Sequence, residues 1–166
     1  MATDSHNNWI NSRVSSQDEF PDGVREDFLN REMPTFEDTA LVGGSPLNER
    51  RVALISTAGL HRRGDRPFTE QSGDFRIITS ETDDADIVMS HVSTNFDRLG
   101  FMQDLDVAFP INRLNELAHD GVVGSVAEYH FSFMGATPPE LMEPSIKEVV
   151  ATLKADNVSA VVLCPV

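Results

Sequence analysis

The residues of this chain that stand out as able to do chemistry are His61, His91, Asp97, His130, Ser132 and Cys164. The three histidines and Asp97 are ligand types suited to zinc or iron, as in a metal-dependent lyase or hydrolase, but no close pair such as His-x-x-x-His joins them. His91 ends the apolar run Asp86-Ile-Val-Met-Ser90, with Ser93, Asn95, Asp97 and Arg98 directly after it. Ligands of open α/β sheets sit outside the carboxyl ends of strands, so this is a candidate site; the plainer alternative is a loop histidine bonded to its own backbone. His130 and Ser132 alternate with Tyr129, Phe131 and Phe133, so in an extended segment they face away from the aromatic rings. A histidine flanked in this way equally serves as a satisfied structural residue, and Gly135 as a tight turn or as a close backbone approach to a ligand. Cys164 is the single cysteine, which excludes an internal disulfide and any multi-cysteine metal site. In a buried strand it is a small, inert core residue.

These residues need elements to hold them. Val52-Ala-Leu-Ile-Ser56 is a short continuous apolar run followed by Thr57-Ala-Gly59, the pattern of a buried parallel strand ending in a tight loop. Leu60 to Gly73, broken by Gly64 and Pro67, reads as an exposed loop. Gly59 and Gly64 do not form Gly-x-Gly-x-x-Gly, so a dinucleotide site has little support. Phe75–Thr79 and Asp86–Ser90 read as two more strands separated by an acidic turn, and Leu105–Phe109 as a marginal one. Pro110 then fits the first turn of a helix that places Ile111, Leu114, Leu117 and Ala118 on one face and stops at Gly121. Ser145-Ile-Lys-Glu148 fits a capping box opening a second helix, with Ile146, Val149, Val150 and Leu153 on one face and Asn157 at its end. Ala160–Cys164 reads as a central, fully buried parallel strand. The expected architecture is α/β: an open, mostly parallel Rossmann-like sheet with flanking helices and an irregular N-terminal arm.

Composition bounds the rest. The 166 residues, 40% of them hydrophobic, suit one domain over 51–166 with an acidic, partly helical arm over 1–50. The arm carries Pro21, Pro34 and Pro46, and only Trp9-Ile10 and Asp22 to Asn30, with Val24, Phe28 and Leu29 at helical spacing, promise order. Acidic residues outnumber basic ones 27 to 13, and a net charge of -14 repels a phosphate backbone, so nucleic acid is not an expected partner. No apolar run approaches the ~18 residues of a membrane span, and the N-terminus lacks the pattern of a secretory signal, so the expected location is the cytoplasm.

Several stretches, in this order, carry a family resemblance: Val52-Ala-Leu-Ile-Ser-Thr-Ala-Gly-Leu-His61, Gly64-Asp-Arg-Pro-Phe68, Ser90-His91 with Asp97, Phe109-Pro-Ile-Asn-Arg-Leu-Asn-Glu-Leu117, Gly121-Val-Val-Gly-Ser125, Phe131-Ser-Phe-Met-Gly135 and Ala160-Val-Val-Leu-Cys-Pro-Val166. Over residues 52 to 166 the chain resembles the selenoprotein B family of the glycine, sarcosine and betaine reductases, with the selenoprotein subunit of D-proline reductase as a relative. In that family the last strand leads into Pro-Val followed directly by selenocysteine. The resemblance therefore implies selenol chemistry just after Val166, either because a UGA codon there is read as a stop or because the remaining half lies on another chain. No further cofactor is implied.

The implied reaction is reductive cleavage of a C–N bond in a small amino acid or betaine, with a dithiol or selenoprotein redox partner restoring the enzyme in a homo- or hetero-oligomer. By the same resemblance, His61 and His91 are candidates for proton transfer to the leaving amine, since histidine titrates near neutral pH. Asp97 would orient one of them, His130, Ser132 and Gly135 would bind the substrate, and Cys164 would neighbour the redox centre without being its nucleophile. A non-catalytic partner subunit, docking through its acidic arm, is the alternative from another class.

Overall fold

The structure, a computed structural model, describes residues 22–30, 42–93 and 98–166. The chain divides into two compact units, Met1–Gly43 with Thr94–Asp97 and Gly44–Ser93 with Arg98–Val166. In the first, the described element is helix α1 (Asp22–Leu29), on the segment where the spacing predicts one. The expected anchor at Trp9-Ile10 lies outside the described residues. No helix among the described residues is long and apolar enough to cross a membrane.

The second unit is α/β, built on a mixed sheet. Strand β1 (Arg51–Ser56) is its centre. The short β5 (Ser125–Val126) and then β6 (Tyr129–Ser132) run parallel along one side of β1, and β7 (Ala160–Cys164) runs parallel along the other. β3 (Arg76–Thr79) lies antiparallel against β6, while β2 (Leu60–Arg62) and β4 (Ile87–Met89) leave the sheet to form a separate antiparallel pair. The expected open, mostly parallel sheet is thus corrected to a mixed one. The cause is local: a parallel neighbour needs a crossover, usually a helix, and no helix separates β1 from β3. The chain stays at the carboxyl end of β1 and β3 runs back from there.

Each face of β1 is sealed by a different helix. Val52 and Leu54 pack with Phe109, Ile78 and α3 (Ile111–His119), through Ile111 and Leu114. Ala53 packs on the opposite face with Phe131, Phe133 and α4 (Pro139–Ala155), through Val149 and Leu153. Phe131 and Phe109 are fully buried, each contributing about 2–3 kcal/mol of apolar transfer, and Phe75 meets Phe131 edge-on at 5.5 Å. At the amino end, Arg51 grips the Asp156 carboxylate at 2.7 Å and the N–H of Glu128 donates to its other oxygen at 2.8 Å, tying β1, the β5–β6 link and the end of α4 together.

Four expectations differ in detail. Leu105–Val107 is a 3-10 turn rather than a strand, opened by the Asp104 carboxylate accepting from Asp106 N–H. Leu60 to Gly73 is not simply an exposed loop, since Leu60, His61, Phe68 and Ser72 are buried. Helix α4 begins at Pro139 and encloses Pro144 and Ser145, so the capping-box motif lies inside it; tertiary packing outweighs the backbone bond that Pro144 forfeits. And β7 pairs only with β1 among the described residues, leaving Leu163 70% exposed where a central, buried strand was expected.

Candidate functional site

The parallel strands bring polar side chains to one level. Ser132 of β6 stands beside Ser56 of β1, Ser56 beside Cys164 of β7, and Arg76 of β3 opposite Ser132. Both serines are fully buried and serve the backbone that leaves the sheet. Ser56 Oγ donates to the Ala108 carbonyl at 2.8 Å and accepts from Ala58 N–H at 3.2 Å, and Ser132 Oγ accepts from Leu60 N–H at 2.8 Å. Buried backbone groups require partners, so these hydroxyls fix the path of residues 57–60 over the carboxyl ends of β1 and β6.

That path holds two other segments. Thr57 Oγ1 accepts from Val166 N–H at 2.8 Å and lies 3.3 Å from the Val166 carbonyl, to which it donates, while Thr57 N–H donates to the Cys164 carbonyl at 3.1 Å. Gly135 N–H donates to the Thr57 carbonyl at 2.9 Å, and a Cβ at Gly135 would lie 2.5 Å from the Val166 carbonyl oxygen. Only glycine permits that approach. Two residues after Thr57, Gly59 (φ +65°) presses against the backbone of His91, where a Cβ would come within 3.0 Å. One short path thus links Val166 to His91.

A backbone partner sets the role of Nδ1 in each of the three histidines, as donor in His61 and as acceptor in His91 and His130. His61 Nδ1 lies 2.9 Å from the Arg62 carbonyl, which can only accept, so Nδ1 is the donor. His91 Nδ1 accepts from Ser93 N–H at 3.2 Å, which puts the proton of the neutral ring on Nε2. Burial, together with the Arg98 charge, pushes its pKa below the usual histidine value. His130 is fully buried; its Nδ1 accepts from Leu54 N–H at 3.0 Å and its ring meets Phe109 edge-on at 5.8 Å. Burial pushes its pKa down to about 4. It is neutral at pH 7.

His61 lies in β2 opposite Val88 and His91 follows β4, so the β2–β4 pair joins their backbones, whereas His130 fills a place in the sheet beside Leu54. His130 and Ser132 face away from Phe131 as expected, but both are inaccessible and both already serve backbone N–H groups. Asp97 lies outside the described residues. Burial pushes the Cys164 thiol up, away from a reactive thiolate. Among the described residues no group of three or more His, Cys, Asp or Glu is placed to hold a metal ion. A groove of about 770 Å³ opens beside β4 and α2 (Leu99–Gln103), with Leu60, Met89, Phe101, Leu105 and Arg98 among its walls. Through Leu60 it adjoins the Ser132 hydroxyl.

Ser56 and Thr57 were not singled out by sequence reasoning. Their signal was position, as the first polar residues after the first apolar run.

The model of the glycine/sarcosine/betaine reductase selenoprotein B family (GRDB) matches residues 30–166 of the chain. The chain is also 31% identical over 121 residues to the D-proline reductase subunit gamma of Acetoanaerobium sticklandii, a match that covers 70% of this chain and 49% of that protein. The chain therefore spans about half the length of that relative. No solved structure matches it significantly.

Proposed function

Since the chain belongs to the glycine/sarcosine/betaine reductase selenoprotein B family, we propose that it forms the scaffold of a reductase subunit that cleaves a C–N bond in a small amino acid or betaine. The reacting selenol or thiol belongs to the residue directly after Val166. The observation that supports this most strongly is the clamp at Val166: Thr57 holds both its backbone groups and Gly135 admits its carbonyl, at the carboxyl ends of β1 and β7. A segment so constrained aims the next side chain reproducibly, which a reacting atom needs and a passive connection does not.

The position also suits a ligand. The chain segments that leave β1, β6 and β7 meet at their carboxyl ends, where Thr57 holds Val166 and Gly135 N–H donates to the Thr57 carbonyl. A selenolate there would supply the nucleophile that displaces the amine and forms a C–Se bond, and an external dithiol would supply the two electrons that cleave that bond to C–H and selenolate as the thiols become a disulfide. The chain's own residues bind and move protons. His91 and His61 are the candidates for carrying a proton from solvent to the leaving amine. Asp97 orients one of them. Arg98, on the wall of the groove, meets the substrate carboxylate. Ser132 holds the backbone of Leu60 in this wall, His130 holds that of Leu54 and Gly135 that of Thr57, and a cytoplasmic setting keeps the dithiol partner reduced.

The test is turnover by the chain carried past Val166, with selenocysteine or cysteine at the next position, supplied with a dithiol and with D-proline, glycine, sarcosine or betaine. Cleavage of one of these C–N bonds that disappears when the next residue is serine supports the proposal. Equal turnover with serine, or none with any of the four substrates, contradicts it.

A further inference from the structure

We propose that β7 is an interior strand of the working fold, covered by a crossover helix and a further parallel strand from polypeptide that continues beyond Val166; this rests on the reading that the chain extends past that residue. Strands that face solvent at a sheet edge are protected by charge, proline, a bulge or shortness. β7 has none of these: its five residues, Ala-Val-Val-Leu-Cys, are uncharged and pair in unbroken register with β1 from Ala160 to Cys164. Its other side meets no strand among the described residues. Val161, Val162 and Leu163 are 38, 41 and 70% exposed, although β1, an equally apolar strand beside it, is sealed on both faces.

Both faces of β7 are partly bare: Val162, beside Leu54, lies on the α3 face, while Val161 and Leu163, the most exposed residue of the strand, lie on the other. The register places Val161 beside Ala53 and Leu163 beside Ile55, on the face that α4 covers over β1 and β6. The connection from β6 through α4 to β7 steps across the sheet in one direction. A right-handed crossover continuing in that direction puts its helix on the same face, next to α4, where Val161 and Leu163 await cover. Its strand would then take the open hydrogen-bonding edge. The matched stretch is 49% of the relative's length, so half of that protein lies outside the match. The occupant is thus a helix with an apolar stripe and a strand that pairs parallel to β7.

The experiment reads the coding frame past the Val166 codon, expresses the extended chain with any in-frame UGA codon changed to one for cysteine, and compares amide hydrogen exchange in β7 for the extended and 166-residue chains. The expected result is that the edge-facing amides of residues 161–164 exchange at least about tenfold more slowly in the extended chain. In addition, Leu163→Lys should lower the melting temperature of the extended chain and leave that of the 166-residue chain unchanged. A closed frame, unchanged exchange, equal effects of Leu163→Lys in both chains, or protection that appears only on dimerisation would overturn the proposal. An open frame without cysteine or selenocysteine at the next position would defeat the catalytic reading and leave this one standing.

Discussion

Thr57 and Val166 lie 109 positions apart in sequence and are joined through a single hydroxyl that accepts from the Val166 N–H and donates to its carbonyl. Removing that hydroxyl at constant shape leaves a part-buried N–H without its partner, which costs about 1–2 kcal/mol. Thr57→Val is expected to speed exchange of the Val166 amide and lower the urea midpoint, while Thr57→Ser restores both. Equal behaviour of the two variants would mean that the threonine acts through its methyl group.

Gly135 is the other half of the clamp. A methyl group there would stand 2.5 Å from the Val166 carbonyl oxygen and 2.9 Å from that of Thr57, both backbone atoms rather than the far end of a flexible side chain. Gly135→Ala should therefore displace residues 165–166 and cost about 1–3 kcal/mol, read by thermal melting. In the extended enzyme it should reduce turnover more than substrate affinity, because it moves the reacting residue. A variant as stable and active as the wild type would show that the approach is not tight.

His130 gives the fold a pH dependence. Its folded pKa, about 4, is below the ordinary 6.5, so the unfolded chain binds a proton that the folded one refuses. The stability it contributes is fully present above pH 6.5 and is lost as pH falls toward 4, by about 3 kcal/mol in all. Denaturant titrations at pH 7 and pH 4.5 should show a larger acid loss for the wild type than for His130→Asn, which keeps an acceptor for Leu54 N–H and does not titrate. At Asp156 and Asp74 burial pushes the carboxyls up, but neighbouring arginines outweigh it and hold both below their usual range, so their contributions are lost at still lower pH. Identical acid losses in wild type and His130→Asn would contradict the assignment.

Much of the fold was legible in the sequence, and the rest escaped for physical reasons. The run Val52–Ser56, the helix after Pro110 and the alternation of His130 with Phe131 are local patterns, and each is present in the structure. Ala160–Cys164 is as apolar as Val52–Ser56, yet one is bare and the other sealed, because burial depends on neighbours that no local pattern encodes. The antiparallel turn of β3 follows from a connection without a helix, which periodicity alone does not reveal. For the site, the histidines were visible by type, but the Nδ1 roles that their backbone partners impose and the complete enclosure of His130 were not. Thr57 escaped notice because its role depends on a partner at the far end of the sequence.

The central claim concerns the side chain that the clamp presents. Tandem mass spectrometry of the natural protein, alkylated under reducing conditions, can read the peptide that contains Ala160 to Val166 and identify the residue next to Val166 on its carboxyl side. A carboxamidomethylated selenocysteine or cysteine at that position is the predicted result. A natural peptide that ends at Val166, or continues with a residue bearing neither selenium nor sulfur, would contradict it.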